Sequence, residues 1–113
     1  MMRQPLDIPV VRDSDGFLMD PEDWSEDIAH QLAAEWGLTL TEDHLAVLRF
    51  MRDWHEEHQI VPDVRDVVPF ISQRKGLSKK DAKAYLFRLF PHGYMQQACQ
   101  IAGFRRPRAW SVG

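Results

Sequence analysis

The chain predicts a mainly α fold: an orthogonal bundle of about five helices with a small N-terminal β-hairpin and a mobile C-terminal arm. Three observations carry this. Apolar residues recur at helical spacing in segment after segment; a capping residue, glycine or proline bounds each segment; and β-forming residues gather only near the start. At 113 residues with 44% hydrophobic side chains, four Trp and six Phe, the chain can bury one modest core. It is read as a single domain, 1–113, with 104–113 as the arm.

The hairpin is expected over Ile8 to Met19. Ile8, Val10 and Val11 favour an extended strand, Asp13-Ser14-Asp15-Gly16 supplies turn chemistry, and Phe17-Leu18 returns. Asp20 and Pro21 suit the cap and first position of a helix whose stripe is Trp24, Ile28, Leu32 and Trp36, stopped by Gly37. Thr41 caps the next helix, with Glu42 and Asp43 at the positive end of its dipole. Leu45, Leu48, Met51 and His55 share one face there, joined by Val47, Phe50 and Trp54, which makes this helix the central one.

Pro62 ends or interrupts the segment after His58. Val64, Val67, Val68 and Ile71 form a shorter stripe that Pro69 should kink and Gly76 should close. Ser78-Lys79-Lys80-Asp81 resembles a capping box, and Ala82, Tyr85, Leu86, Leu89 and Phe90 give the cleanest amphipathic pattern in the chain. Pro91 forces the exit. Tyr94 to Ala102 reads as a last short helix with Met95, Ala98, Cys99 and Ala102 on its apolar stripe, and Gly103 stops it.

Charge is divided sharply along the chain. All seventeen acids lie at or before Asp81, against nine Lys and Arg, while five basic residues and no acid occupy the chain from Ala82 onward. An acidic body thus carries a cationic end, suited to an anionic protein cleft or a nucleic-acid backbone, or to folding back on its own body. No apolar run approaches the roughly 18 residues that span a bilayer, and Met1-Met2-Arg3-Gln4-Pro5 lacks a secretory apolar stretch, so a cytoplasmic location is expected. The lone Cys99 cannot form an internal disulfide, which fits a reducing compartment.

Few residues offer chemistry. Cys99 sits on a helical stripe of small residues and is more at home buried than presented, which would raise its pKa. His55-Glu56-Glu57-His58 lacks the spacing of zinc-peptidase histidines, and one cysteine cannot build a cysteine-rich zinc site, so no metal and no cofactor are expected. No paired carboxylates, nucleophilic triad or glycine-rich phosphate loop stands out. A helix-turn-helix over Thr41 to Lys75 would make the chain a DNA-binding regulator, but Asp63 and Asp66 would open its recognition helix with acids.

The stretch Leu89-Phe90-Pro91-His92-Gly93, the glutamine-rich helix after it and Ile101-Ala102-Gly103-Phe104 up to Pro107 together resemble the C-terminal signature of the DsrC/TusE family of sulfur-relay proteins. Asp15-Gly16-Phe17-Leu18, Trp24-Ser25-Glu26, Leu38 to Thr41 with His44, Arg49-Phe50 with Arg52, Pro62 with Arg65, and Tyr85 to Pro91 extend the likeness over nearly the whole chain. The resemblance implies the same helical fold and a place in sulfur trafficking. Family members that carry sulfur keep a cysteine next to last in the chain, and the DsrC branch adds a second one eleven positions earlier. Here Cys99 matches the earlier position and Trp110 stands at the carrier position.

The expected function is therefore docking on a sulfurtransferase or sulfite-reductase-type partner through the terminal helix and basic arm, in a binding or regulatory role. Arg105, Arg106 and Arg108 would steer and anchor, with Phe104 and Trp110 as apolar anchors. The alternatives are a persulfide carrier using Cys99 and the DNA-binding regulator.

Overall fold

A computed structural model describes residues 10–106. Near the start, Asp13 organises a tight turn: its carboxylate accepts the N–H groups of Asp15 and Phe17 at 2.8 and 3.0 Å, and Gly16 takes a φ of 88°. Arg12 and Leu18 form one antiparallel bridge, and Met19 donates to the Val11 carbonyl at 3.0 Å. The β-hairpin expected over Ile8 to Met19 is not formed, since no strand appears among the described residues; Ile8 itself lies outside them. Consecutive Phe17 and Leu18 are both 1% exposed, which breaks the alternation a half-buried strand requires.

The first helix also starts later than expected. Asp20 caps a single 3-10 turn, Pro21–Asp23, after which Trp24 is extended and Ser25 caps α1, Glu26–Glu35. Trp24 leaves the helix because its indole is committed elsewhere, donating to the Ile101 carbonyl at 2.8 Å. Ile28, Ala29, Leu32 and Ala33 supply the buried face, and Trp36 closes α1 as its C-cap.

The central helix α2, Glu42–His58, buries Leu45, Val47, Leu48 and Met51. Its capping box is unusual, for the third position holds His44 where Glu or Gln is customary. Thr41 Oγ1 accepts the His44 N–H, and His44 Nδ1 accepts the Thr41 N–H at 3.0 Å. Helix α3, Val64–Lys75, opens with a second box made by Asp63 and Asp66, runs unbroken through the exposed Pro69, and ends at Gly76. Helix α4, Lys79–Leu89, starts on Ser78, whose hydroxyl accepts from Asp81 N–H; no reciprocal bond completes the box.

Beyond Pro91 the chain makes a turn of π-helix, Tyr94–Ala98, that runs into α5, Cys99–Ile101. The wide turn lets Gln97 and Ala98 both donate to the Gly93 carbonyl, at 2.9 and 3.4 Å. Such π turns are rare and frequently lie at functional sites. Phe17, Leu32, Leu48, Met51, Ile71, Leu86, Phe90, Ile101 and Phe104 form the centre of the core, each buried. Each large apolar side chain so removed from water contributes about 1.5–3 kcal/mol.

Candidate functional site

The C-terminal segment is held by polar side chains from three other elements. Gln100 reaches back to the N-terminal turn, donating from Nε2 to the Asp15 carbonyl at 2.9 Å, while its Oε1 accepts the Trp36 indole N–H at 2.6 Å. Gln97 accepts the His92 N–H at 2.9 Å. The Tyr94 hydroxyl donates to the Pro62 carbonyl, and burial holds it protonated well above the usual phenol range. Arg52 donates to the carbonyls of Ala102 and Pro21 at 3.0 and 2.8 Å, with its guanidinium 4.7 Å from the Trp24 ring centre and 5.5 Å from that of Phe104. Burial draws this guanidinium below its ordinary pKa, with the charge of Glu56 opposing. Trp24 and Arg52 thus satisfy the last carbonyls of the helix, where a cation also suits its dipole.

Cys99 lies at the centre of this arrangement. It is 0% exposed, and burial pushes its thiol up to about 12. Almost none of it is thiolate at neutral pH, and its sulfur has no path to a second protein without local opening. The terminal helix as a whole offers little surface, since Gln97 to Phe104 are all buried and only Gln96 is exposed within Tyr94 to Ala102.

The first residues of the arm fold onto the body. Phe104, expected as a surface anchor, is 1% exposed, packed in the core against Arg52 and the His55 ring. Arg105 donates to the Met19 carbonyl at 3.0 Å, and Arg106 meets the Asp15 carboxylate at 2.6 Å. Arg108 and Trp110 lie outside the described residues. Where the chain passes to residue 107, Pro21, His55, Ile60, Phe104, Arg105 and Arg106 line a cavity of about 510 Å³. Sequence reasoning left Arg52, Gln97 and Gln100 without a structural role, and put Trp24 on the stripe of the first helix rather than on the Ile101 carbonyl. Each is a polar or amphipathic side chain on an otherwise apolar face, which is the one signal that marks them.

The two neighbouring histidines separate, His55 turning to Phe104 and His58 to Trp54, at 5.1 and 4.3 Å between ring centres. Among the described residues no group of three metal-ligating side chains converges, and no helix is long and apolar enough to cross a membrane.

Comparison with known proteins places this geometry. Residues 7–110 match the family described as DsrC like protein. The chain belongs to the DsrC family. Among DsrC-family relatives, Sulfurtransferase TusE of Yersinia pseudotuberculosis is 42% identical over 95 residues, covering 84% of this chain and 87% of the relative. Sulfurtransferase TusE homolog of Haemophilus influenzae is 35% identical over 100 residues, 88% of this chain and 91% of the relative. The oxidized gamma-subunit of the dissimilatory sulfite reductase (DsrC) from Archaeoglobus fulgidus superposes with a TM-score of 0.75 at 33% identity, covering 87% of this chain and 89% of that one. Allochromatium vinosum DsrC gives 0.73 at 36%, covering 85% of each chain. With the DsrC family comes the coarse role, membership of the sulfur-relay proteins. The helix-turn-helix reading finds no support here, and α3 opens with Asp63 and Asp66 tied into its own cap.

Proposed function

We propose that this protein serves a cytoplasmic sulfur relay by docking on a sulfurtransferase or sulfite-reductase-type partner rather than by carrying sulfur itself. One observation carries the reading: its only cysteine is sealed in the core with a thiol pKa of about 12. Persulfide transfer needs a thiolate that attacks a sulfane sulfur while the donor's own thiolate leaves, and then presents the new S–S bond to an acceptor. A sulfur without access performs neither half. Docking falls to the arm, with Arg105, Arg106 and Arg108 steering and Trp110 as the apolar anchor. Phe104 is the buried footing from which the arm leaves.

Intact-mass analysis after exposure to a small persulfide donor tests the cargo half. The folded protein is expected to gain no sulfur, whereas the unfolded protein gains one and Cys99→Ser gains none in either state. Stoichiometric loading of the folded protein would establish Cys99 as a carrier instead. For docking, the protein is added while a donor sulfurtransferase loads a TusE-type carrier. It is expected to slow that loading, and a chain cut after Arg106, which keeps Arg105 and Arg106 but loses Arg108 and Trp110, is expected to slow it much less.

A further inference from the structure

A second surface, sharing no residue with the cavity beside the arm, lies between α3 and α4. Val64, Val68 and Pro69 of α3 form an aliphatic floor in a groove of about 530 Å³, and its rim is Arg65 with Lys79, Lys80 and Lys83 of α4. On α4, Lys79, Lys83 and Phe87 stand at i, i+4 and i+8, so the 39% exposed Phe87 continues the same flank. No acid lines the groove.

Two features set these lysines apart from the rest of the molecule. The other described cations are tied: Arg12 to Glu35, Arg49 to Glu26, Arg74 and Lys75 to Asp43, Arg106 to Asp15, and Arg65 of the rim itself to Asp63. Arg52 and Arg105 hold carbonyls, and Arg88 lies over the Tyr85 ring. Lys79, Lys80 and Lys83 have no hydrogen bond, ion pair or ring contact among the described residues, and all three are exposed. Moreover Lys79 and Lys80 occupy the first two positions of α4, where the dipole favours acids; α1 and α2 both place two acids there. The fold gains nothing from cations at that end, and a local rule broken without structural return points to a ligand.

We propose that this groove docks an acidic amphipathic helix of a partner protein. The aliphatic floor takes an apolar stripe spaced at i, i+3 or i+4, and the lysine rim pairs with the Asp and Glu that flank it. A nucleic-acid backbone fits less well. It would leave the aliphatic floor of Val64, Val68 and Pro69 covered by nothing apolar. The surface is independent of the arm and of whether Cys99 accepts sulfur.

The test is selection from a displayed library of helical peptides of about 16 residues, four turns, against the full-length protein, with Lys80→Glu/Lys83→Glu as the counter-target. Both substituted side chains are solvent-exposed, and circular dichroism verifies the fold. Enriched peptides are expected to carry paired acids flanking an apolar stripe and to shift the amide resonances of Val64, Val68 and Lys83. They are expected to bind the double variant about tenfold or more weakly, the loss typical of a few removed charge contacts. Enrichment of basic or uncharged peptides, or shifts elsewhere, overturns the proposal. So does tighter binding of a single-stranded oligonucleotide at physiological salt, which would make the surface a nucleic-acid site. A dimer in sedimentation that the double variant dissolves would make its occupant a second copy, and also overturns it.

Discussion

Gly103 and Gly76 end their helices in the same left-handed conformation, with φ of 82° and 68°, yet they stand in opposite surroundings. A Cβ on Gly103 would overlap Trp24 Cδ1 and come within 2.6 Å of its Cγ, whereas a Cβ on Gly76 meets nothing within 4 Å. The difference separates two regions of the molecule. Around Gly103 the space is already filled by the Trp24 side chain; at Gly76, on the α3–α4 corner, the surface is left open. Alanine substitution should expose this most strongly. Gly103→Ala combines backbone strain with overpacking and should lose about 2–4 kcal/mol, whereas Gly76→Ala loses about 1 kcal/mol from strain alone. Urea denaturation with unchanged slopes measures both, and equal losses would erase the distinction.

Removing one cation from each region comes next in size. Arg52→Met keeps much of the apolar stem but leaves the carbonyls of Ala102 and Pro21 without their charged donor, for a loss of about 2–3 kcal/mol. Lys83→Met removes a charge that holds nothing in this fold, so the change should stay within about 0.5 kcal/mol. Thermal unfolding of the pair shows whether the terminal segment depends on Arg52 as strongly as the geometry indicates.

A smaller effect links the two regions through pH. His44 is buried, its Nδ1 accepting from Thr41 N–H, so the proton sits on Nε2 and is donated to the Leu89 carbonyl at 2.8 Å. Desolvation lowers its pKa below 6.5, against the opposing pull of that carbonyl and of Asp43. The unfolded chain therefore binds the proton more readily, and this contribution to stability is present above pH 6.5 and is lost as pH falls through the folded value. His44→Gln retains an acceptor for Thr41 at a cost of about 1 kcal/mol and should flatten the stability slope just below pH 6.5. Asp43 acts in a separate, more acid window. The Tyr85 hydroxyl and Lys75 hold its carboxyl at about 2, so its share is present above the ordinary 3.8 and lost between there and about 2.

The helices were legible because their stripes and caps are local: Thr41, Ser78, Gly76 and Gly103 act where the sequence puts them. The illegible features depend on distance. Trp24 sits at helical spacing from Ile28, but its bond to Ile101 lies 77 residues away, and that bond takes it out of the helix. Phe17-Leu18 reads as a returning strand until both consecutive side chains prove to be buried. The cap on α2 escaped the usual Ser/Thr-x-x-Glu pattern because histidine makes the return bond. At the candidate site, burial of Cys99 could be read from its stripe, whereas that of Phe104 had no local sign: an apolar residue just past a helix stop looks free until Arg52 and His55 are seen closing over it.

The smallest effect is the most discriminating for the open region. Lys80 is the second residue of α4, and replacing it with Glu puts a negative charge where unsatisfied N–H groups and the dipole favour one. Lys80→Glu should therefore stabilise the protein by a few tenths of a kcal/mol, raising the melting temperature by about 1–2 °C for a chain of this size, while weakening any acidic ligand of the groove. Function and fold then pull the same side chain in opposite directions. A lower melting temperature would mean that the lysine serves the structure after all, and that the α3–α4 corner resembles the terminal segment more closely than its unpaired charges indicate.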